Sequence, residues 1–423
     1  MKALILAGGS RKGNYKMVYL VISYFTITVL STTYATINPA SSYVVTIPGL
    51  ILLSLFVISV YIARYKVNIK FLLFSLFLSI IILIQTLLST FIYGQEALLR
   101  SLLSLILLFA CLFIFAPVFY RIIHLCDDNS LIKIIKFIFI TLLGLGFIAL
   151  FLQYEGILRG KNMLFIREPS HYAILITPLL IFVIKNSKFK FLYLLPSIIL
   201  TLLIKNATLL VGIILSILVA YRINTRIFFS AILVFILIYN FSSFNHYFSY
   251  FIDRFTLNYK SDTAKVSVLV YLSGLERAYL SLLDSTFIGL GFNRLGFVGP
   301  KGYYQDILSN MGLGDLNLYD GGANSFKLIS ELGIVGIFIL LIYLYYFVKS
   351  INIMKRASLR PYQILLYSYF LAYFIELFVR GVGYFSFNLP FVLSSIYMII
   401  SNRNSRNNKH LNIKNQYNHE NSL

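Results

Sequence analysis

Charged residues are scarce in this chain of 423 residues, since they make up only 12% of it. Soluble domains carry about 25% charged residues, so a soluble enzyme of this size is excluded. Tryptophan is absent, and the two cysteines provide neither a disulfide framework nor a metal-binding motif. Acidic residues are also few, with 15 Asp and Glu against 36 Lys and Arg.

The chain is instead rich in apolar residues, which make up 59% of it and give a mean hydropathy of +0.83. About 20 consecutive apolar residues suffice for one membrane crossing, so the composition predicts an all-α, polytopic integral membrane protein. Apolar runs between charged residues predict about twelve transmembrane helices, at 17–36, 43–63, 69–92, 98–120, 131–153, 171–185, 189–204, 207–221, 226–242, 323–348, 361–379 and 384–401. The sixth to eighth runs are short, and ten or eleven helices remain if neighbouring runs merge.

These helices divide the chain into five parts. A basic head at 1–16 precedes nine helices within 17–242, which are followed by a large loop at 243–322, three helices within 323–401 and a tail at 402–423. The tail is Asn-rich and basic, which is typical of a disordered segment. A loop as long as 243–322 usually has a function.

The net charge of +21 is distributed unevenly between the two sides of the predicted membrane. Most Lys and Arg residues lie on the side of the N-terminus, with only Asp127, Asp128 and Glu420 as acidic residues there. Cytoplasmic loops are enriched in Lys and Arg, so this side is cytoplasmic and holds both termini. The large loop then lies outside. Orientation explains the positive charge, and we expect no nucleic-acid partner.

Basic residues on the outer side run against this bias and are therefore candidates for a binding site. We assign Arg167, Arg254, Arg294, Lys327 and Arg380 to substrate binding. Because the outer side lacks ATP, we expect these side chains to bind an anionic lipid headgroup or an acidic sugar. The lipid bilayer itself is the other expected partner.

The segment 167–171, with the sequence REPSH, lies at the entry to the sixth predicted helix. Proline suits the first helical position, which makes Glu168 the expected N-cap residue. The unpaired N–H groups of this helix start attract anions, and Arg167 could add a bidentate contact. Glu168 and His171 are three residues apart and could share one face, with a neutral His171 as a base. The alternative is a capped helix with a Glu–Arg surface pair.

Within the large loop, Ser273 begins a predicted helix that carries Glu276 and Arg277. Its apolar face comprises Leu272, Leu275, Tyr279, Leu282 and Leu283, and its polar stripe comprises Arg277, Ser281 and Asp284. Such a helix could lie on the outer surface of the membrane, or it could be part of a loop core with a solvated polar face. The Gly-rich segment 289–296 that follows predicts a flexible loop carrying Arg294.

Two pairs of opposite charge lie at the outer ends of predicted helices. Lys327 and Glu331 are four residues apart in the tenth helix, and Glu376 and Arg380 are four residues apart in the eleventh. Ionisable groups at membrane depth are costly and usually functional. The alternative is that the two charges of each pair only neutralise each other and have no further role.

Three segments together resemble the O-antigen and capsule polysaccharide polymerases. They are REPSHYA at 167–173, SGLERAYLSLLDSTFIGLGFNRLG at 273–296 and ANSFKLISELGIVG at 323–336. Members of that family have ten to fourteen membrane spans and a large outer loop. They transfer a growing glycan from undecaprenyl pyrophosphate to another lipid-linked repeat unit without a metal or a nucleotide. The resemblance therefore implies no cofactor.

The resemblance also implies which residues bind and react. It points to Arg167, Glu168, His171, Arg277, Asn324 and Glu331, and to the turn at Gly289 and Gly291. Many relatives have histidine where this chain has Asn324, and asparagine cannot act as a base. His171, Glu168 or Glu276 would then be the catalytic base, and Arg277 would stabilise the leaving pyrophosphate.

The sequence thus predicts a polysaccharide polymerase of the bacterial cytoplasmic membrane. Its expected partner is a lipid-linked oligosaccharide, and flippase and chain-length regulator proteins are further candidate partners. A lipid-linked oligosaccharide flippase or transporter is the main alternative, although such folds usually show internal repeats, which this sequence lacks. An O-antigen ligase is the other alternative, and Asn324 disfavours it.

Overall fold

The computed structural model describes residues 68–158, 162–164, 166, 168–221, 266–356 and 358–401. The predicted helices at 17–36, 43–63 and 226–242, the head, the tail, Arg167 and Arg254 lie outside the described residues.

The described part of the chain is helical, and its only β-structure is two isolated bridges. We number the described helices in chain order: α1 (Ile69–Tyr93), α2 (Leu98–His124), α3 (Asp128–Tyr154), α4 (Pro169–Asn186), α5 (Phe191–Ile204), α6 (Ala207–Ala220), α7 (Val266–Asp284), α8 (Tyr303–Asn310), α9 (Asn324–Arg356), α10 (Pro361–Phe378) and α11 (Leu389–Ser401). Among the described helices, α1, α2, α3, α4, α7 and α9 are long and apolar enough to cross a membrane. The protein is therefore a multi-pass membrane protein by helix length and composition.

Helix α1 shows how the sequence sets these elements. The Asn68 side chain accepts a hydrogen bond from Lys70 N and caps the start, and Gly94 with φ of +68° ends the helix. Apolar side chains such as Phe77 and Phe91 are exposed on its outer side, where lipid is the matching solvent. Its buried side is mostly polar, with Ser75, Ser79, Gln85, Thr86 and Ser89 beside the apolar Phe71 and Ile82.

Helix α4 is the most enclosed of the long helices and packs against α3, α6 and α10. Its close approach to α6 depends on Gly212, where an added Cβ would lie 2.3 Å from Thr177 Oγ1. Glu168 is its N-cap residue and Pro169 its first residue, as predicted from the sequence. The start of α4 is thereby held at a fixed place in the core of the bundle.

Helix α7 differs from its prediction in extent and in sidedness. It begins at Val266 or earlier rather than near Ser273. The side chains of Leu275, Tyr279 and Leu283 are exposed, whereas Arg277 and Ser281 are buried. Of the predicted polar stripe, Arg277 and Ser281 are turned inward, and Asp284 at the end of the helix is exposed. Most of this polar face is therefore not solvated, and the apolar side of α7 is turned outward. Such an arrangement suits contact with lipid.

Helix α9 is broken at Gly333, whose φ of +57° and ψ of −131° are non-helical. Ile334 N donates to Phe287 O instead of to Ser330 O, its partner in a continuous helix. The freed carbonyls of Ser330 and Glu331 accept from Leu290 N and Gly291 N of the loop after α7. Irregular backbone at membrane depth is tolerated where protein satisfies its polar groups, as here.

Candidate functional site

A charged cluster forms where α4 begins. Glu168 Oε2 accepts a hydrogen bond from Arg380 Nη2 at 2.9 Å and another from the Ser170 hydroxyl at 3.0 Å. His171 Nε2 lies 4.0 Å from the same carboxylate oxygen. The predicted shared face of Glu168 and His171 is confirmed. The predicted pairing of Arg380 with Glu376 is wrong, because Arg380 lies beyond the end of α10 and turns toward Glu168.

Glu168, Ser170 and Arg380 of this cluster line a half-open cleft of about 480 Å³, and His171 lies behind them, outside the lining. The starts of two helices line the cleft, α4 with Pro169 and Ser170 and α6 with Ala207 and Thr208. Asn206 Nδ2 donates to Pro169 O and joins these two helix starts. Because helix starts present N–H groups and a positive dipole end, this side of the cleft attracts anions.

The rest of the cleft lining is mostly apolar. It includes Val266, Val268, Val270 and Tyr271 of α7, Phe378 and Val379 at the end of α10, and Val211 of α6. Arg380 and Lys205 lie in the same lining. The cleft thus combines cationic groups with an apolar wall, which is the combination that an amphipathic anion requires.

Electrostatics keep the Glu168 carboxyl group ionised. Burial raises its pKa, but the neighbouring Arg380 and His171 and the hydrogen bonds from Ser170 and Arg380 outweigh burial and lower the pKa from 4.5 to about 2. A carboxylate with such a low pKa is a weak base at neutral pH. Glu168 is therefore suited to orient Arg380 and His171, and its role as a base stays a prediction.

The Glu168–Arg380 ion pair gives a testable pH dependence. A carboxyl pKa that is lower in the folded than in the unfolded protein stabilises the fold above pH 4.5, and this stabilisation is lost as the pH falls through about 2. We expect the difference in thermal unfolding midpoint between wild type and Glu168→Gln to shrink as the pH falls from about 4.5 toward about 2. A difference that stays the same over this acidic range would contradict the assignment.

A second polar cluster is buried where α9 meets the loop after α7. Glu331 is 0% exposed, and its carboxylate accepts hydrogen bonds from Asn293 N at 2.7 Å and Leu295 N at 2.9 Å. Lys327 Nζ lies 3.8 Å from Glu331 Oε1, which confirms the predicted pair. Lys327 Nζ also donates to Asn293 Oδ1 and Tyr319 O. We call Lys327, Glu331 and Asn293 the buried ionic cluster.

Arg294 is buried and holds the loop after α7 against the turn between α1 and α2. Its guanidinium donates to Glu96 O, Ser89 Oγ and Gly94 O at 2.7 to 3.0 Å. These contacts join segments about 200 residues apart in the chain. The prediction of a flexible loop at 289–296 is wrong, since Arg294 and Glu331 both hold it. Direct substrate binding by Arg294 stays a prediction.

Arg277 lies on the inward side of α7 and is 4% exposed. Its Nη1 donates to Leu318 O at 2.8 Å, whereas its Nε has no hydrogen-bond partner. A buried guanidinium N–H without an acceptor is costly and is a common feature of binding sites. Leu318 follows Asn317 and Leu316, which line the cleft. Arg277 is thereby linked to the cleft through this short segment.

Two predicted site residues make structural contacts. The Glu276 carboxylate accepts from Tyr303 N and Tyr304 N and so caps the start of α8. The Asn324 amide donates to Gly383 O and accepts from Gly383 N, both at 3.1 Å. The catalytic role of Glu276 and the substrate contact of Asn324 stay predictions, although each polar group already has a partner within the chain.

Sequence reasoning missed several polar residues of the site. Lys205, Asn206 and Asn317 line the cleft, and the Asn317 side-chain nitrogen has no hydrogen-bond partner. Lys205 and Asn206 separate two apolar runs, and this interruption was the available signal. In α1, Gln85 Nε2 donates to Ile288 O and Glu331 O, both at 2.7 Å. The sequence feature that could have identified Gln85 is the stripe of polar residues within the apolar span 69–92.

The described residues contain no group of three or more His, Cys, Asp or Glu side chains that could hold a metal ion. Comparison of the chain with protein-family models, with curated proteins and with solved structures finds no match in any of the three.

Proposed function

We propose that this protein is a polysaccharide polymerase of the bacterial cytoplasmic membrane. It joins oligosaccharide repeat units linked to undecaprenyl pyrophosphate on the outer face of that membrane. The observation that carries this proposal is the cleft, whose lining combines Arg380, Lys205 and two helix starts with apolar side chains.

A polyprenyl pyrophosphate needs both halves of this cleft. Its pyrophosphate carries negative charge, which helix starts and an arginine stabilise. Its isoprenoid chain is apolar and suits the valine and phenylalanine side chains of α7 and α10. The exposed apolar side of α7, at Leu275 and Leu283, would let such a chain lie against the surrounding lipid.

The proposed reaction is a displacement at the anomeric carbon of the donor glycan. A hydroxyl oxygen of the acceptor forms the new glycosidic bond, the bond to the pyrophosphate oxygen breaks, and undecaprenyl pyrophosphate leaves. Arg380 and Arg277 stabilise the charge that develops on the leaving group. His171 takes the proton of the acceptor hydroxyl. Its position beside Glu168 supports this role, since the carboxylate can orient the imidazole.

Arg380→Ala tests the cleft. Removal of one electrostatic donor to a leaving group costs about 100-fold in rate, so we expect long glycan chains to be lost in a strain that carries only this variant. Glycan ladder length on a gel is the measurement. Arg360→Ala is the matched control, because Arg360 also pairs with a carboxylate, Asp128 at 3.3 Å, but lies outside the cleft. Its ladder should be normal, and a normal ladder with Arg380→Ala would contradict the proposal.

A deletion strain separates a polymerase from a flippase. Loss of a polymerase leaves single repeat units on the outer face of the membrane, whereas loss of a flippase traps them on the cytoplasmic face. We expect single outer units. Repeat units trapped on the cytoplasmic face would contradict the polymerase and support a flippase or transporter.

A further inference from the structure

Glu376 is a buried carboxylate that the proposed reaction does not use. It lies on α10, four residues before Arg380, and is 0% exposed. Its Oε1 accepts a hydrogen bond from Asn388 Nδ2 at 2.9 Å, and its Oε2 has no hydrogen-bond partner. Among the described residues, no Lys, Arg or His side chain forms an ion pair with it. An ionised carboxylate without a countercharge is costly at membrane depth.

Other oxygen atoms lie beside the Glu376 carboxyl group. Asn388 Oδ1 also has no hydrogen-bond partner, and Asn388 and Ser386 are both buried. The Ser386 hydroxyl interacts with the Glu376 carboxyl, and the Asn388 amide contacts it directly. Glu376 and Asn388 thus each have a buried oxygen that a positive charge or a hydrogen-bond donor would stabilise, and the hydroxyl oxygen of Ser386 lies beside the same carboxyl group. Small cations that prefer oxygen ligands select sets of this kind.

The position of Asn388 is set by a proline in α4. Pro178 has no N–H group, so the carbonyl of Ile174 loses its donor within the helix. Asn388 Nδ2 donates to Ile174 O at 3.0 Å and fills that gap. The same nitrogen donates to Glu376, so one amide joins α4 and α10. Because α4 begins at the cleft, the Asn388 amide connects the Glu376 carboxyl to the cleft through α4.

No neighbouring charge competes for Glu376. The titratable groups that interact with its carboxyl are Tyr373 on α10 and Tyr343 on α9, which are neutral near pH 7. From the segment between α10 and α11 it meets Ser386 and Asn388, and Asn388 in turn contacts the Ile174 carbonyl of α4.

We propose that the carboxyl group of Glu376, together with the side-chain oxygens of Ser386 and Asn388, binds one small monovalent cation, Na⁺ or a proton, below the cleft. Broken helices and buried oxygen ligands bind such ions at membrane depth in other proteins. A bound Na⁺ would accept lone pairs from all three oxygens. A bound proton would form a neutral carboxylic acid that donates to one of them. The inference is independent of the proposed glycan transfer.

The test measures the thermal unfolding midpoint of the purified full-length protein in detergent. One arm titrates NaCl against choline chloride at constant ionic strength and constant pH. The other arm varies the pH in choline chloride alone. A specific ligand at about ten times its Kd should raise the midpoint by about 2 °C. Glu376→Gln is the main variant, because its neutral amide keeps the contact with Asn388. Glu155→Gln is the matched control at an exposed position.

Each outcome decides between the alternatives. A rise with Na⁺ that is present in wild type and Glu155→Gln but absent in Glu376→Gln identifies Na⁺. A rise as the pH falls toward about 5, again absent only in Glu376→Gln, identifies the proton, because a buried neutral acid stabilises the fold as the pH falls. The proposal is overturned if wild type responds in neither arm, or if Glu376→Gln responds as wild type does. If Glu376→Gln does not fold, Ser386→Ala replaces it and should require a several-fold higher Na⁺ concentration or a lower pH for the same response.

Discussion

Glu331→Ala is expected to lower the free energy of unfolding by about 3–5 kcal/mol, because removal of one partner from a buried ion pair leaves an uncompensated charge. Lys327 would keep its charge at 2% exposure, with the half-exposed Asp320 at 4.0 Å as its remaining acidic partner. Asn293 N and Leu295 N would lose their acceptor. The loop after α7 would then be released from α9, and Arg294 with it. We expect both a lower unfolding midpoint and the loss of long glycan chains.

Two further variants identify the cause of that loss. Adding Lys327→Met to Glu331→Ala removes the uncompensated charge, so the double variant should be more stable than Glu331→Ala alone. Glu155→Ala removes an exposed carboxylate and should leave the unfolding midpoint unchanged. A double variant that is no more stable than Glu331→Ala would show that the ion pair does not hold this part of the fold.

Gly274→Ala is expected to separate α7 from the start of α9. An added Cβ at Gly274 would lie 2.0 Å from Gly321 O and 3.0 Å from Phe326 Cδ2. Because a backbone oxygen cannot rotate away, the helix itself must move, and overpacking of this kind costs about 1–3 kcal/mol. Arg277 lies one turn further along α7 and would move with it. We expect a lower unfolding midpoint and a glycan ladder as short as that of the Arg380→Ala variant.

Gly144→Ala is the matched control for Gly274→Ala. Gly144 is also a helical glycine in a long apolar helix, α3, but an added Cβ there meets nothing within 4 Å. Alanine favours helix over glycine by up to about 1 kcal/mol, so this variant should be as stable as wild type or more stable. Equal stability of the two variants would show that the contact between Gly274 and Gly321 is not close in the native protein.

Much of the fold followed from hydropathy alone. The predicted spans at 69–92, 98–120, 131–153 and 171–185 correspond to α1–α4, because a continuous apolar run has few alternatives at membrane depth. Helix α7 was predicted as a loop helix, since its apolar and polar residues alternate as they do on a water-exposed helix. Hydropathy gives the period of such a pattern, but only tertiary packing decides which side faces inward.

The candidate site was predictable only in part, for a related reason. Local patterns identified the start of α4 and the Lys327–Glu331 pair, which depend on residues within one turn. The Glu168–Arg380 pair joins positions 212 residues apart, and no local pattern encodes it. The spacing of four residues instead predicts that Arg380 pairs with the nearer Glu376. The break at Gly333 was missed for a similar reason, because the loop that replaces its lost hydrogen bonds comes from a distant segment.

The contacts of α1 with the loop after α7 also affect the order in which the protein can be completed. Gln85 and Ser89 bind partners about 200 residues later in the chain. At a synthesis rate of about 5–20 residues per second, these partners leave the ribosome roughly 10–40 s after α1 does. During that interval the Gln85 amide of α1 lacks the carbonyl acceptors that it has in the folded protein, so it needs a temporary partner. Biogenesis of this protein therefore depends on how long the insertion machinery, or a neighbouring helix, shields one glutamine.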